Sequence, residues 1–384
     1  VDADLLSRAE SAAAIAREHA DTVDRNSRFP HEALAALREQ RLLGLMVKPE
    51  DGGEGRSYRE IGQVTELLAA ACGSTGMVYA MHQNQIAGLV RHADTAYFAA
   101  RRRDAVDRQL LIASATTEIG IGGDLRSSTC AVEPGADGRF TLVKNAPVIS
   151  YADDSDVIVV TARRSPEAGP ADQVLVYCDR EHVELDKTIP WNVMGFRGTC
   201  SPGYLLRTEN STEAIFPEPF ADMLARCMLP GAHIFWASVW LGIATEAVGK
   251  ARSFVQNAAR KNPGSMPPGA PRLAELQITL QTFGSTVHHA ADRLDELAPD
   301  DPELSSVPFA LAMNGLKVYA STTVVDIVSR AMLITGIAGY RLDSPYTLDR
   351  HLRDAFGAAI MVNNDRILGN SSQLELVNRR GGAW

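Results

Sequence analysis

Thr117-Glu118-Ile119-Gly120-Ile121-Gly122-Gly123-Asp124 marks the point where the chain changes character. Gly120, Gly122 and Gly123 lack a Cβ, so the backbone there can come close to a phosphate. Read alone, the stretch is also compatible with a plain glycine-rich turn. Its surroundings narrow the choice. Residues 1–108, upstream, read as helices. Pro30 opens one, and His31 to Leu43 carries apolar residues at helical spacing up to Gly44. Ser57 with Glu60 predicts a capping box ahead of a second, in which each side chain satisfies a free N–H of the first turn. A third follows Gly73-Ser74.

Residues 109–219 carry β-rich runs: Leu110–Ile112, Phe140–Val143, Val157–Thr161 and Val174–Tyr177. Turn signals at Pro134-Gly135 and Gly169-Pro170 separate them and predict a small antiparallel barrel or sandwich. Residues 220–384 return to helix, with long segments at 230–260, 271–297, 307–336 and 345–375 that predict a four-helix bundle. The expected class is therefore α+β, in three consecutive regions.

Composition bounds the function. The 384 residues carry a net charge of -9, with 47 acidic against 38 basic side chains. A general nucleic-acid binder needs a basic face to displace counterions, so that class is disfavoured. Arg101-Arg102-Arg103, followed by Asp104 and Asp107, reads as a solvated helix face. No run reaches the roughly 18 uninterrupted apolar residues of a membrane span, and the opening VDADLLSRAE has no leader-like layout. The expectation is a cytoplasmic protein with no membrane partner. Five scattered cysteines without a CxxC pair predict free thiols and no metal site.

Several motifs, in order, resemble those of the acyl-CoA dehydrogenase superfamily. Pro49-Glu50-Asp51-Gly52-Gly53-Glu54-Gly55 is similar to its P-E-x-G-G-x-G turn. Thr117 to Asp124 is similar to its T-E-x-x-x-G-S-D flavin loop. Lys144 to Asp156 resembles the strand pair flanking the flavin ring, and Gly195-Phe196-Arg197-Gly198-Thr199 resembles its G-x-R-G-[ST] turn. Gly336-Ile337-Ala338-Gly339-Tyr340, then Arg353-Asp354, resembles its C-terminal signature. The resemblance implies an acyl-CoA dehydrogenase-like fold: an N-terminal helical domain, a middle β-barrel and a C-terminal four-helix bundle. It also implies FAD, or alternatively FMN, and a homo-oligomer built as a dimer of dimers. On that basis Ser114, Thr116, Thr117, Gly122 and Gly123 are candidate cofactor-binding residues. Ser150, Arg260 and Gly336 complete that set, with Arg272 an alternative to Arg260.

The departures are chemical. The dehydrogenases remove an α-proton with a glutamate shortly after the Arg-Asp pair. Alignment places Val362 there, and valine takes no proton. The alternative position on the first bundle helix reads Pro230-Gly231-Ala232-His233-Ile234-Phe235-Trp236, again without a carboxylate. Loss of a general base commonly costs ~10²–10⁴-fold in rate. Ala71-Cys72-Gly73-Ser74-Thr75 with His82, and Val148-Ile149-Ser150-Tyr151-Ala152, resemble segments of a sister branch. Its members are monooxygenases and oxidases that use reduced flavin and O₂.

Candidate catalytic residues are His82, Ser150, Asn364 and Asp365. For each the alternative is structural: a satisfied histidine, a strand-terminal serine, or a carboxylate paired with an arginine. His233, Trp236, Trp240 and Val362 are candidates for a substrate pocket, with core packing as the alternative for the aromatics. Three functions stay open. The first is a monooxygenase of an aromatic or nitrogen-containing small molecule, fed by a flavin reductase. The second is an acyl-CoA or acyl-carrier-protein dehydrogenase whose base is displaced to Glu118, Glu246 or Asp365. The third is a non-catalytic flavin-binding subunit.

Overall fold

The computed structural model describes residues 2–121 and 124–378. Gly122 and Gly123 lie outside the described residues. Helices α1 (Ala3–Asn26), α2 (His31–Glu39), α3 (Tyr58–Ala71), α4 (Gly73–His92) and α5 (Ala96–Asp107) come first. The Ser57 capping box forms: Ser57 Oγ accepts from Glu60 N at 3.3 Å, and Glu60 Oε2 accepts from Ser57 N at 3.0 Å. Helix α2 stops earlier than its apolar spacing predicts. Arg41 takes a left-handed φ of 52°, which turns Leu42 and Leu43 into the core, both buried. The arginine cluster on α5 is also less solvated than expected. Arg102 donates to the buried Asp51 at 2.5 Å and to the Ala93 carbonyl at 2.6 Å.

The middle region holds two sheets. Strands β1 (Ile112–Ala115), β4 (Val157–Arg163) and β5 (Gln173–Asp179) form one, in the order β1-β4-β5. Strands β2 (Glu133–Pro134), β3 (Arg139–Ala146), β6 (Val183–Ile189) and β7 (Gly203–Ser211) form the other, in the order β2-β3-β7-β6. The antiparallel expectation fails at one pair: β1 runs parallel to β4. The reason is the connection. The chain leaves β1, builds β2 and β3 in the other sheet, and only then returns, and a long crossover is what parallel pairing requires. Sequence reading also misses β6 and β7. Strand β6 carries Glu184, Asp186 and Lys187 because it lies at the sheet edge, where charge replaces the apolar alternation.

The last region contains α6 (Phe220–Met223), which passes through a π-helical turn at Leu224–Met228 into α7 (Leu229–Lys261). Then come α8 (Ala270–Glu296), α9 (Val307–Thr335), α10 (Ile337–Tyr340), α11 (Asp349–Ile360) and α12 (Asn364–Glu375). Helix α7 is apolar nearly all round because α3, α4, α8 and α9 surround it. The helix expected over 345–375 is two helices. Met361 is extended and Val362 has φ 47°, which ends α11 before Asn363 caps α12.

Gly336 ends α9 with φ 56° and ψ -136°, a region open to glycine alone. Gly195 meets a different demand. A Cβ there would sit 2.2 Å from the Arg353 carbonyl oxygen, so only glycine lets the β region close on α11.

Candidate functional site

The β region presents two chain ends side by side. Beyond β1, Thr117 Oγ1 donates to the Val148 carbonyl at 2.8 Å, and Ile119 N donates to the Asn145 carbonyl at 3.0 Å. Beyond β3, the chain turns at Tyr151, φ 43°, whose hydroxyl donates to the Ile112 carbonyl at 3.1 Å. Ser150 stands at this turn. Ser201 Oγ donates to Ser150 Oγ at 2.9 Å, and Thr199 Oγ1 lies 2.9 Å from Ser201 Oγ. Ser150 accepts in that contact, so its own hydroxyl proton is available to an acceptor outside the protein. Val148 and Ile119 remain exposed, at 37% and 48%. Apolar side chains beside a free hydroxyl and paired strand ends suit a flat ring with hydrogen-bonding edges, which is what a flavin requires.

The strand end leading to Gly120 is held by a buried cluster. Glu118 accepts from Ser128 Oγ at 2.7 Å, from Thr129 N and Cys130 N at 2.8 Å each, and from Lys144 Nζ at 3.2 Å. Thr129 Oγ1 is a further donor. Burial opposes the charge, but the hydrogen bonds of Thr129 and Ser128 and the Lys144 charge outweigh it. They hold the carboxyl at about 2. Past the glycines, burial raises the Asp124 carboxyl, while hydrogen bonds from Arg126 and the charges of Arg126 and Arg366 draw it down. Arg366 lies on α12, so Asp124 senses a charge of that helix.

Helix α11 docks on the β region through Phe196 N, which donates to Asp354 Oδ1 at 2.6 Å. Arg353 and Asp354 take separate partners. Arg353 turns to Asp24, at 2.9 and 2.5 Å, and to Asp349 at 2.9 Å. Asp354 is fully buried. Burial pushes its carboxyl up to about 6, against the opposing Phe196 hydrogen bond. The folded-state value lies above the ordinary 3.8. The folded protein therefore holds more protons than the unfolded chain between these values. This group's contribution is complete below 3.8 and is lost as pH rises through about 6. Asp354→Asn keeps the acceptor without the charge. It is expected to gain up to about 3 kcal/mol over the wild type above that range. The gap closes toward about pH 4, as urea denaturation across pH would show.

His82 is corrected by its surroundings. Its Nε2–H donates to the Leu43 carbonyl at 2.9 Å, and its Nδ1 accepts from Ile112 N at 3.1 Å. Burial pushes it down to about 4. Both ring nitrogens are committed to backbone, so His82 joins α4 to β1 and has no atom left for chemistry. Asp365 is exposed in the first turn of α12. Glu246 pairs with Arg17 at 2.8 Å on the outer side of α7. Glu118 is thus held by its cluster and Glu246 by Arg17, while Asp365 stands exposed three residues beyond Val362, its N–H donating to Asn363 Oδ1 at 2.9 Å.

Asn364 is held from behind. Its Oδ1 accepts from Lys317 Nζ at 2.7 Å and from Ser321 Oγ at 3.2 Å. Trp236 is partly buried, with its ring centroid 6.0 Å from that of His233. Trp240 is fully buried, so it is core and cannot line an open pocket. His233 is also buried. Its Nδ1 meets the Met313 carbonyl at 3.0 Å, and burial pushes it down to about 4. Ser114 and Thr116 sit partly buried at the end of β1. Arg260 is exposed at the end of α7 and binds Asn257, while Arg272 points outward on α8. Lys317 escaped the sequence reading. Its signal was a lysine in phase with Met313, Ala320 and Val324 on the buried face of an apolar helix.

Two open cavities lie elsewhere. One, of about 580 Å³, is lined by Arg56, Tyr58, Arg91 and Asp295 among others. The other, of about 510 Å³, is lined by Asp24, Arg197, Arg350 and Arg353 among others. Neither includes the Val362 turn.

Residues 7–97 match the family model for the acyl-CoA dehydrogenase N-terminal domain, and residues 228–368 match that for the C-terminal domain. The chain belongs to the acyl-CoA dehydrogenase superfamily. Relatives within this superfamily come from both chemistries. The short-chain specific acyl-CoA dehydrogenase of Clostridium acetobutylicum is 22% identical over 87% of this chain and 86% of its own length. A Pseudomonas putida protein named "Probable FMNH2-dependent monooxygenase SfnC" is 24% identical over 89% of each. The structure of TdsC from Paenibacillus sp. A11-2 with FMN and indole superposes with a TM-score of 0.87 at 20% identity, covering 99% of this chain and 98% of TdsC. At that identity the superposition speaks for the superfamily fold, with its helical, β and helical regions.

Proposed function

We propose that this flavin-dependent oxidoreductase is a reduced-flavin-dependent monooxygenase of an aromatic or nitrogen-containing small molecule. One observation carries the reading. The turn that the resemblance assigns to the base in dehydrogenases carries Val362 here, at φ 47°, and Glu118 and Glu246 are paired elsewhere. A β-branched residue is strained at such an angle. Strain of this kind persists where the surroundings over-determine it, often at functional sites.

In this reading the flavin, FMN or FAD, supplies two electrons for the activation of O₂. The protein contributes binding and order. Ser114, Thr116, Thr117 and the glycine loop at Gly122-Gly123 hold the flavin, with Gly336 and Arg260 assigned to its outer parts in the assembled oligomer. Ser150 offers its free hydroxyl proton at the ring edge. Val362 keeps the substrate side apolar, and partly buried Trp236 favours a planar substrate. Titration of Ser150 plays no part, because a hydroxyl donates without losing its proton. A reductase partner would supply the reduced flavin. Exposed Leu333, Ile337, Tyr340 and Leu342 at the end of the bundle suit burial in a dimer of dimers. A cytoplasmic location accompanies the reading.

The test combines the protein, chemically reduced FMN or FAD, isotopically labelled O₂ and a panel of indoles, phenols and organosulfur compounds. The expected result is labelled oxygen in a product. Labelled product absent across the panel, together with anaerobic bleaching of the flavin by an acyl-CoA, would move the protein to the dehydrogenases.

A further inference from the structure

Lys317 is fully buried in the bundle and has no carboxylate partner among the described residues. Its ammonium has three N–H donors, and the protein acceptor it meets is Asn364 Oδ1, at 2.7 Å. The nitrogen also lies 5.9 Å from the centroid of the Trp240 ring. Asn364 is tied a second time, donating from Nδ2 to Ser321 Oγ at 3.1 Å. Asn364 is the first residue of α12, two positions beyond Val362. The lysine therefore reaches the place where the last long helix breaks.

An uncompensated buried cation destabilises a fold, and an apolar residue of the same length would pack there at lower cost. The gain has to lie in what the cation holds. Because an ammonium only donates, it settles which amide atom of Asn364 faces it: the oxygen lies on Lys317, while Ser321 Oγ stands within reach of both amide atoms. We propose that Lys317 is a positioning residue for the Val362–Asn364 turn, its buried ammonium fixing, through Asn364, how that turn faces the reacting group.

The electrostatic surroundings support this assignment. Burial pushes Lys317 down to about 8. His233 on α7 registers its charge, which helps keep that imidazole neutral. On the other neighbouring elements the ionisable groups are turned elsewhere. Asp365 and Arg366 are on the exposed side of α12. Arg353 and Asp354 of α11 are engaged with Asp24 and Phe196. On α8, His288 is engaged with Glu66. The cation thus stands alone, and loss of its proton loosens the hold on Asn364.

The role can be tested without a known substrate, so it stands or falls separately from the monooxygenase reading. Hydrogen exchange of the segment 360–368, corrected for chemical exchange, is followed from about pH 6 to about pH 9.5. The wild type is expected to lose about tenfold protection around a midpoint near 8. Lys317→Gln, which keeps an N–H donor without the charge, is expected to show the unprotected level at every pH. Asn364→Asp supplies a carboxylate to Lys317 and is expected to move the midpoint upward by about one unit or more. In turnover assays the same midpoint appears in kcat, with KM changing less than about twofold. Wild-type protection in Lys317→Gln, or a midpoint unmoved in Asn364→Asp, overturns the assignment. If Lys317→Gln does not fold, the Asn364→Asp midpoint alone decides. If no flavin supports turnover, the function falls while the exchange result still judges Lys317.

Discussion

Val362→Glu is expected to give the protein a reaction that the wild type performs poorly: removal of the α-proton of an acyl thioester. The substitution places a carboxylate at the turn that the proposed reading assigns to the base in dehydrogenases of this superfamily. The rest of the machinery stays as it is, because Val362 is only partly buried and its side chain contributes little to the core. A positioned general base is commonly worth ~10²–10⁴-fold, and the increase is expected in that range. The measurement is anaerobic bleaching of the bound flavin by acyl-CoA, compared among wild type, Val362→Glu and Val362→Gln. Glutamine has the shape without the basicity and should match the wild type. Two results would count against this reading of the site. Rapid bleaching by the wild type would mean that a base arrives from another subunit. No gain in Val362→Glu, with flavin still bound, would mean that a thioester does not reach the turn.

Lys144→Met should produce the largest loss of stability. Lys144 and Glu118 are both buried, with side-chain exposures of 0% and 3%. Lys144 also donates to the Thr161 carbonyl at 2.7 Å and to Thr161 Oγ1 at 3.0 Å. Removing the cation leaves a buried carboxylate facing neutral donors only. Breaking one side of such a pair typically costs about 3–5 kcal/mol. The pH behaviour has a definite sign. Glu118 is held at about 2 against an ordinary 4.5, so its stabilising contribution is present above 4.5 and disappears as pH falls through 2. Without Lys144 the carboxyl rises and acid sensitivity begins at higher pH. Urea denaturation at neutral and acid pH measures both effects. Flavin retention on gel filtration measures whether the strand end leading to Gly120 has lost its hold. A loss below about 1 kcal/mol would show that Glu118 is held by its neutral donors alone.

Both predictions depend on features that differ in how far sequence reveals them. Glu118 could be placed at the mouth of a glycine loop from its motif. That it is a clamped structural anion required Lys144, Ser128, Thr129 and Cys130 to be brought together from distant positions. His82 went the other way. A histidine after Gly73-Ser74 suggested chemistry, but chain folding delivered the Leu43 carbonyl and the Ile112 N–H to its two nitrogens. One-dimensional spacing carries no information about such partners.

The three regions, their order and most helices were legible because they rest on local rules. Helical periodicity, the Ser57–Glu60 cap and the alternation in β3 are properties of neighbours along the chain. The β1–β4 pairing, the edge strand β6 and the break at Val362 were not legible, because each is imposed by contacts between residues far apart. Sequence alone put a valine and no carboxylate at position 362, since an absent side chain cannot be restored by folding. Only the tertiary structure decided what stands behind that position: a lone buried ammonium, 47 positions away in the chain from the amide it holds. The physical reason is that identity is written residue by residue, whereas burial, hydrogen-bond partnership and charge exist only once distant segments have met.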